Sequence, residues 1–183
     1  MSKSAFLFPF IILSGFMIAL EDTLTALSLA SAMLIHELGH IIAIKTLGCD
    51  IHKTQLYGLG ANIDFNMPHL SALYEVIIYS AGPIMGFITA LLGRSLGLKL
   101  FANFSCSLSI INLIPALPLD GGNILKTILP YKKSYFAMLI ISAVFGILFV
   151  ILGIVIIRIK GNFSVLAIGM CIISTIISKT TLQ

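Results

Sequence analysis

The sequence predicts an all-α polytopic membrane protein with about six transmembrane helices, and its composition and the lengths of its apolar runs support that fold class. Of 183 residues, 58% are hydrophobic and 10% are charged, and the mean hydropathy is +1.10. A soluble domain usually carries about 25% charged residues, so this chain has too little polar surface to coat a water-soluble globule. We therefore expect a multi-pass protein of the cell membrane, embedded in the lipid bilayer. The formal charge of +4 is spread between apolar runs and does not favour nucleic-acid binding.

Six apolar runs supply the predicted helices. They cover residues 5–20, 24–47, 71–92, 100–119, 134–159 and 163–178. A spanning helix needs about 20 apolar residues, within a range of about 17–25. The second to fifth runs meet that length, whereas the first and the last rely on their flanking polar residues. The whole chain, residues 1–183, is expected to form a single intramembrane domain.

The first run has an alternative interpretation as a secretory signal, because Lys3 precedes it and residues 30–32 resemble a cleavage site. The stretch between the apolar core and that site is long and contains Glu21 and Asp22. Cleavage there would also cut into the second predicted helix. We therefore favour a membrane span for this run.

The second run contains an H-E-x-x-H sequence formed by His36, Glu37 and His40. Residues four apart lie on one face of a helix, so both imidazoles can bind one ion. Zinc suits two neutral imidazoles and a carboxylate, with a fourth position for water, and Glu37 could take the proton of that water. Burying one ionisable side chain at mid-span costs about 2.5–3.5 kcal/mol. Three of them within five residues therefore predict a metal ion, and Gly39 would let another helix or a substrate approach closely.

A third ligand is expected, because catalytic zinc sites usually have three protein ligands. The remaining acidic residues are Glu21, Asp22, Asp50, Asp64, Glu75 and Asp120. Asp120 is the best candidate, because it follows a proline-interrupted run, and non-helical backbone at membrane depth usually lines a cavity or is buried in protein. Glu75 could lie at the interface or face a water-filled cavity. The loop residues His52 and His69 are expected to be solvated.

The lysine and arginine positions predict a cytoplasmic N-terminus, because cytoplasmic loops carry an excess of these residues. With six spans, the inner basic residues would be Lys3, Lys45, Lys53, Lys126, Lys132, Lys133 and Lys179, and the outer ones Arg94, Lys99, Arg158 and Lys160. The second and fourth spans then both run from outside to inside. The H-E-x-x-H sequence lies in the inner half of the second span and Asp120 at the inner end of the fourth, so both polar sites share one membrane depth.

Three motifs carry a resemblance to the site-2 protease family (M50) of intramembrane zinc metalloproteases. They are H-E-L-G-H at residues 36–40, S-A-G-P at 80–83 and N-L-I-P-A-L-P-L-D-G-G at 112–122. The first is common among zinc proteases, whereas the third is very specific, and the match covers a core at about 24–130. The chain resembles the sporulation-type bacterial members, and we expect neither a CBS nor a PDZ domain. One departure is Gly86, near which many members carry an asparagine.

The resemblance implies that Zn²⁺ is held by His36, His40 and Asp120 and that Glu37 is the general base toward a zinc-activated water. The implied reaction is hydrolysis of a peptide bond in or near a transmembrane segment of a membrane-associated substrate protein. Membrane-tethered transcription-factor precursors and anti-sigma factors are substrates of the implied type.

The resemblance also implies substrate-binding residues outside the metal site. Asn112 and Pro118 would shape the substrate site, with Asn112 as a donor to the scissile carbonyl or the oxyanion. A membrane-associated β-hairpin-like loop is implied after the second helix, where Gly58 and Gly60 suit a turn. An exposed strand edge within residues 55–65, which include the loop at 58–62, could hold an unwound substrate by strand addition. The alternative is an ordinary connecting loop.

Two other function classes compete with a protease. A metal-ion transporter would also place histidines and acids within the membrane, but it predicts ligands spread along a pathway rather than clustered. A catalytically inactive adaptor is expected to have lost Glu37 or a ligand, and all four residues are present.

Overall fold

Six helices and one pair of strands make up the part of the chain that is described. The computed structural model describes residues 23–48, 50–57, 60–66, 72–129, 131–160 and 164–180. The helices are α1 (Thr23–Thr46), α2 (Ala72–Ser95), α3 (Lys99–Asn112), α4 (Asp120–Ile128), α5 (Tyr131–Lys160) and α6 (Ser164–Thr180). This confirms the predicted all-α class. The first predicted span, residues 5–20, lies outside the described residues.

Three of the described helices are long and apolar enough to cross a membrane. The candidate spans are Thr23–Thr46, Ala72–Ser95 and Phe136–Ile159, with mean hydropathies of 1.6, 1.8 and 3.2. The apolar segment of α6, Val165–Ile177, is shorter. Large apolar side chains such as Leu34 and Leu91 are exposed along these helices, which suits a hydrocarbon surrounding. The protein is therefore a membrane protein.

Two strands lie between α1 and α2. Strand β1 (Asp50–Tyr57) pairs antiparallel with β2 (Gly60–Asn66), and the register shifts between Ile51 and Lys53. Gly58, where the turn was expected, lies outside the described residues. The predicted hairpin-like membrane element is therefore not confirmed and stays a prediction.

Residues 1–113 form the first of two compact units. Within it, α1 packs against α2 and α3, and α2 packs against α3. The core is made of buried apolar side chains: Ala32, Ile44, Ile78, Ala90 and Ala102. The turn between α2 and α3 passes through Gly97, whose φ of +77° lies in the left-handed region that favours glycine. Helix α2, which packs against the helix that carries both histidines, thus belongs to the same unit as α1.

Residues 114–183 form the second unit, in which α5 packs along α6 and α4 packs on α5. Glycine residues allow α5 and α6 to approach each other closely. A Cβ added to Gly153 would lie 2.5 Å from both Cα and N of Leu166, and one added to Gly169 would lie 2.7 Å from the backbone N of Val150. Close backbone approach through small residues is the usual way in which helices pack inside membranes.

The fourth apolar run does not form the single helix that its hydrophobicity predicts. Helix α3 ends at Asn112, residues 113–119 are irregular with a cis peptide bond between Leu117 and Pro118, and Asp120 begins α4. The prolines in this stretch lack the N–H that a continuous helix requires. The expected position of Asp120 at the end of the fourth helix is therefore wrong. Asp120 lies in the first turn of the next helix, where the helix dipole favours a carboxylate.

Candidate metal site

His36 and His40 lie one turn apart on the buried face of α1. Their side chains are 3% and 6% exposed. The ring centroids are 5.0 Å apart and the ring planes meet at 76°, which brings the two Nε2 atoms to 3.3 Å. Each imidazole therefore points its Nε2 atom toward the Nε2 atom of the other.

This spacing matches what a shared metal ion requires. Two nitrogens bound tetrahedrally to zinc at about 2.0–2.1 Å lie about 3.3–3.4 Å apart. The observed separation of the His36 and His40 Nε2 atoms is 3.3 Å. The pair is therefore arranged as two ligands of one tetrahedral ion would be.

A hydrogen bond at His40 Nδ1 determines that Nε2 is the nitrogen of this ring that can bind a metal. His40 Nδ1 lies 2.8 Å from the backbone carbonyl oxygen of Ile78 on α2. A carbonyl oxygen can only accept, so Nδ1 carries the proton and donates it, and in the neutral imidazole Nε2 is then the nitrogen with the lone pair that a metal requires. Metal-binding histidines usually have such a partner, because it holds the ring orientation and raises the basicity of the ligand nitrogen.

Gly82 on α2 lies directly against both Nε2 atoms. A Cβ added there would lie 2.8 Å from His36 Nε2 and closer still to His40 Nε2. Any side chain at this position would occupy the space in front of the ligand nitrogens. In the sequence, Gly82 is only one residue of the S-A-G-P motif. Its contact with the two imidazoles could not be predicted there, because the imidazoles belong to another helix.

Gly39, between the two histidines, is the matching small residue on α1. An added Cβ would lie 2.6 Å from the Ala81 carbonyl oxygen and 2.9 Å from Met85 Cβ, both on α2. The prediction that Gly39 permits the close approach of another helix is confirmed, and that helix is α2. Gly39 and Gly82 together let the two helices meet at the imidazole pair.

Three further predicted site residues, Glu37, Asn112 and Pro118, lie among the described residues. Glu37 is half-buried on α1, next to His36. Asn112 is the last residue of α3, is 6% exposed, and donates through Nδ2 to the Leu108 carbonyl oxygen at 3.0 Å. The carbonyl oxygen of Pro118 accepts a hydrogen bond from Asn123 Nδ2 at 3.3 Å. The roles of these residues and of Asp120 stay predictions.

Gly86, the departure from the family pattern, packs against α3. An added Cβ there would meet the Ser109 hydroxyl and would lie 3.2 Å from the Ser105 carbonyl oxygen. A longer side chain such as asparagine would need α3 to move away from α2. The absence of a side chain at Gly86 therefore allows α2 and α3 to pack this closely.

Comparison with known proteins finds one family model and two curated relatives that resemble part of the chain. The model of peptidase family M50 matches residues 24–101, a range that contains the imidazole pair, Glu37 and Gly82. A protein of Synechocystis sp. named as a candidate zinc metalloprotease is 29% identical over 117 residues, which is 57% of this chain and 31% of that protein. A zinc metalloprotease of Methanocaldococcus jannaschii is 32% identical over 128 residues, which is 63% of this chain and 37% of that protein. The chain thus spans about a third of the length of these curated relatives.

A solved structure shares the fold. The site-2 protease from Methanocaldococcus jannaschii superimposes with a TM-score of 0.67 at 24% sequence identity, covering 91% of this chain and 83% of that one. Residues 24–101 of the chain are thus similar to peptidase family M50, and the chain shares the fold of a solved site-2 protease.

Proposed function

We propose that this protein is a multi-pass intramembrane zinc metalloprotease of the cell membrane, which hydrolyses a peptide bond in or near a transmembrane segment of a membrane-associated protein. The observation that carries the proposal is the imidazole pair of His36 and His40, whose Nε2 atoms lie 3.3 Å apart on a helix of spanning length. The names of both curated relatives, which call them zinc metalloproteases, support the same chemistry.

The proposed zinc ligands are His36, His40 and Asp120. Two neutral imidazoles and one carboxylate are a ligand set that catalytic zinc sites use, with a fourth position left open. Asp120 lies in the first turn of α4, where the positive end of the helix dipole favours the ionised carboxylate that a metal requires. When bound, zinc acts as a Lewis acid and lowers the pKa of a water to about 7.

Glu37 is proposed as the general base. Its carboxylate accepts one proton from the attacking water and passes it to the amide nitrogen that leaves. The bond from the water oxygen to the carbonyl carbon forms and the C–N bond then breaks, so one peptide yields a carboxylate and an amine. The buried amide of Asn112 would donate to the carbonyl oxygen as negative charge develops on it, and Pro118 would shape the substrate site.

The substrate class is proposed on chemical grounds. A fully hydrogen-bonded helix hides its carbonyl groups, so a transmembrane substrate must unwind locally before attack. Within that class, the resemblance to the site-2 protease family suggests membrane-tethered transcription-factor precursors and anti-sigma factors. The chain would act as a single domain with its core at residues 24–130.

The test compares the purified wild-type protein with Glu37→Gln. We expect both to retain zinc, whereas cleavage of single-span substrates falls by about 10²–10⁴-fold in the variant, because the general base is lost. His40→Ala, which removes a ligand, should lose both zinc and cleavage. If neither wild type nor variant cleaves any substrate while the wild type carries zinc across a vesicle membrane, the transporter alternative is correct instead.

A further inference from the structure

Ser142 carries a fully buried hydroxyl in the most apolar of the three candidate spans among the described residues. It lies on α5, whose spanning segment Phe136–Ile159 has a mean hydropathy of 3.2, and its side chain is 0% exposed. Its Oγ accepts a hydrogen bond from the backbone N–H of Leu117 at 2.9 Å. The two residues are 25 positions apart in the chain. A single polar side chain of α5 thus holds the irregular segment that leads into α4.

That irregular segment is fixed by its own contacts as well. The N–H of Leu119 donates to the Ala116 carbonyl oxygen at 2.9 Å. A Cβ added to Gly122 would lie 2.5 Å from the carbonyl carbon of Ala116 and 2.7 Å from the backbone N of Leu117. The first turn of α4 therefore lies directly on the backbone of the turn that precedes it. A shift of Leu117 would move the start of α4 with it.

The Leu117 N–H has no helical partner, because residues 113–119 are irregular. A buried N–H must find an acceptor, since leaving it unsatisfied in a low-dielectric interior costs its full desolvation penalty. Ser142 supplies that acceptor from a neighbouring helix. The bond thus sets the position of the backbone three residues before Asp120.

We propose that Ser142 is a positioning residue for Asp120: its hydroxyl anchors Leu117 to α5 and so fixes where the Asp120 carboxylate stands. The inference rests on the proposed function, in which that carboxylate is a zinc ligand. Ser142 touches neither metal nor substrate, and it acts through the Leu117 backbone and the first turn of α4.

The test measures zinc affinity of the full chain by competition with a chelator, together with the absorption spectrum of the Co²⁺-substituted protein. Ser142→Ala removes the acceptor and should weaken zinc binding about 10-fold, since the loss of residues that orient metal ligands costs roughly 10–100-fold. The cobalt spectrum should change, because the carboxylate no longer holds its place in the coordination sphere. Ser142→Thr keeps a hydroxyl and should restore both readouts. Ser174→Ala, which changes an exposed serine of α6 that bonds within its own helix, is the matched control and should change neither.

A double-mutant cycle separates positioning from a general structural effect. If Ser142 acts through Asp120, then Ser142→Ala weakens zinc binding in the wild type but adds nothing in an Asp120→Ala background, where the two imidazoles alone bind zinc weakly. An equal loss in both backgrounds would overturn the inference, as would an unchanged affinity in Ser142→Ala. If Asp120→Ala itself leaves the affinity intact, the proposed ligand set fails, and this outcome is distinct from a failure of the Ser142 proposal.

A second variant covers the case in which Ser142→Ala does not accumulate. Ser142→Cys keeps the shape of the serine side chain with a slightly larger atom, and its sulfur is a weak acceptor. It should fold and should show a smaller loss of zinc affinity in the same direction, again only when Asp120 is present. Wild-type affinity and an unchanged cobalt spectrum in Ser142→Cys would contradict the proposal.

Discussion

The contact between α1 and α2 and the contact between α5 and α6 both depend on glycine, but the atoms that meet the glycine differ in kind. In the first contact, a Cβ on Gly82 would lie 2.8 Å from the His36 Nε2 atom. In the second, a Cβ on Gly153 would lie 2.5 Å from the backbone N and Cα of Leu166. One glycine makes room for ligand nitrogens, and the other makes room for another helix backbone.

The difference shows how the same packing device can serve chemistry in one place and stability in another. Helices in lipid associate through close packing of small residues, because there is no hydrophobic driving force between them. At α5 and α6 that packing is the whole role of the glycine. At α1 and α2 the close approach also brings the Ile78 carbonyl oxygen within 2.8 Å of His40 Nδ1, so the contact orients an imidazole.

The largest expected effect comes from Gly82→Ala. The added methyl group would occupy the space in front of both Nε2 atoms, so zinc affinity should fall by about 100-fold or more and cleavage should be lost with it. Zinc content after purification and chelator competition measure this. Retention of wild-type zinc affinity in Gly82→Ala would mean that the metal does not lie between these imidazoles and α2.

A smaller effect is expected for Gly153→Ala, which serves as the matched control. Overpacking of this kind destabilises a protein by about 1–3 kcal/mol, so the thermal unfolding midpoint in detergent should fall. Zinc affinity should stay at the wild-type value, because the contact touches no ligand. A loss of zinc affinity equal to that of Gly82→Ala would remove the distinction between the two contacts.

The smallest effect is expected at Gly97, where no packing contact is at stake. Its φ is +77°, and an added Cβ would meet nothing within 4 Å, so the constraint is conformational alone. Gly97→Ala should cost about 1 kcal/mol of stability, and Gly97→Asn should cost less, because asparagine tolerates the left-handed region. Thermal unfolding of the two variants measures the difference. Equal stability of Gly97→Ala and wild type would contradict the conformational argument.

The sequence predicted the parts of the site that have a local signature. The spacing of His36 and His40 predicted a shared metal ion, and a helix does bring their Nε2 atoms to 3.3 Å. Composition predicted the helical membrane fold, because apolar runs report burial in lipid directly. These features depend on residues close together in the chain or on composition, so no knowledge of the packing was needed.

The contacts that hold the site could not be predicted in this way. The acceptor for His40 Nδ1 is the backbone carbonyl of Ile78, 38 residues away, and a carbonyl has no signature in a sequence. Ser142 is one polar residue in a long apolar run, and its partner is a backbone N–H. The two prolines predicted an interruption of the fourth run, but not that a new helix begins at Asp120, because the residues after Asp120 continue without a helix-start signal that the sequence alone would single out.

The most direct measurement is a zinc anomalous-difference map from crystals of the zinc-loaded protein. We expect one peak at about 2.0–2.1 Å from the Nε2 atoms of His36 and His40 and about 2.0–2.2 Å from a carboxylate oxygen of Asp120. A peak bound by the imidazole pair without Asp120, or zinc bound elsewhere in the chain, would contradict it.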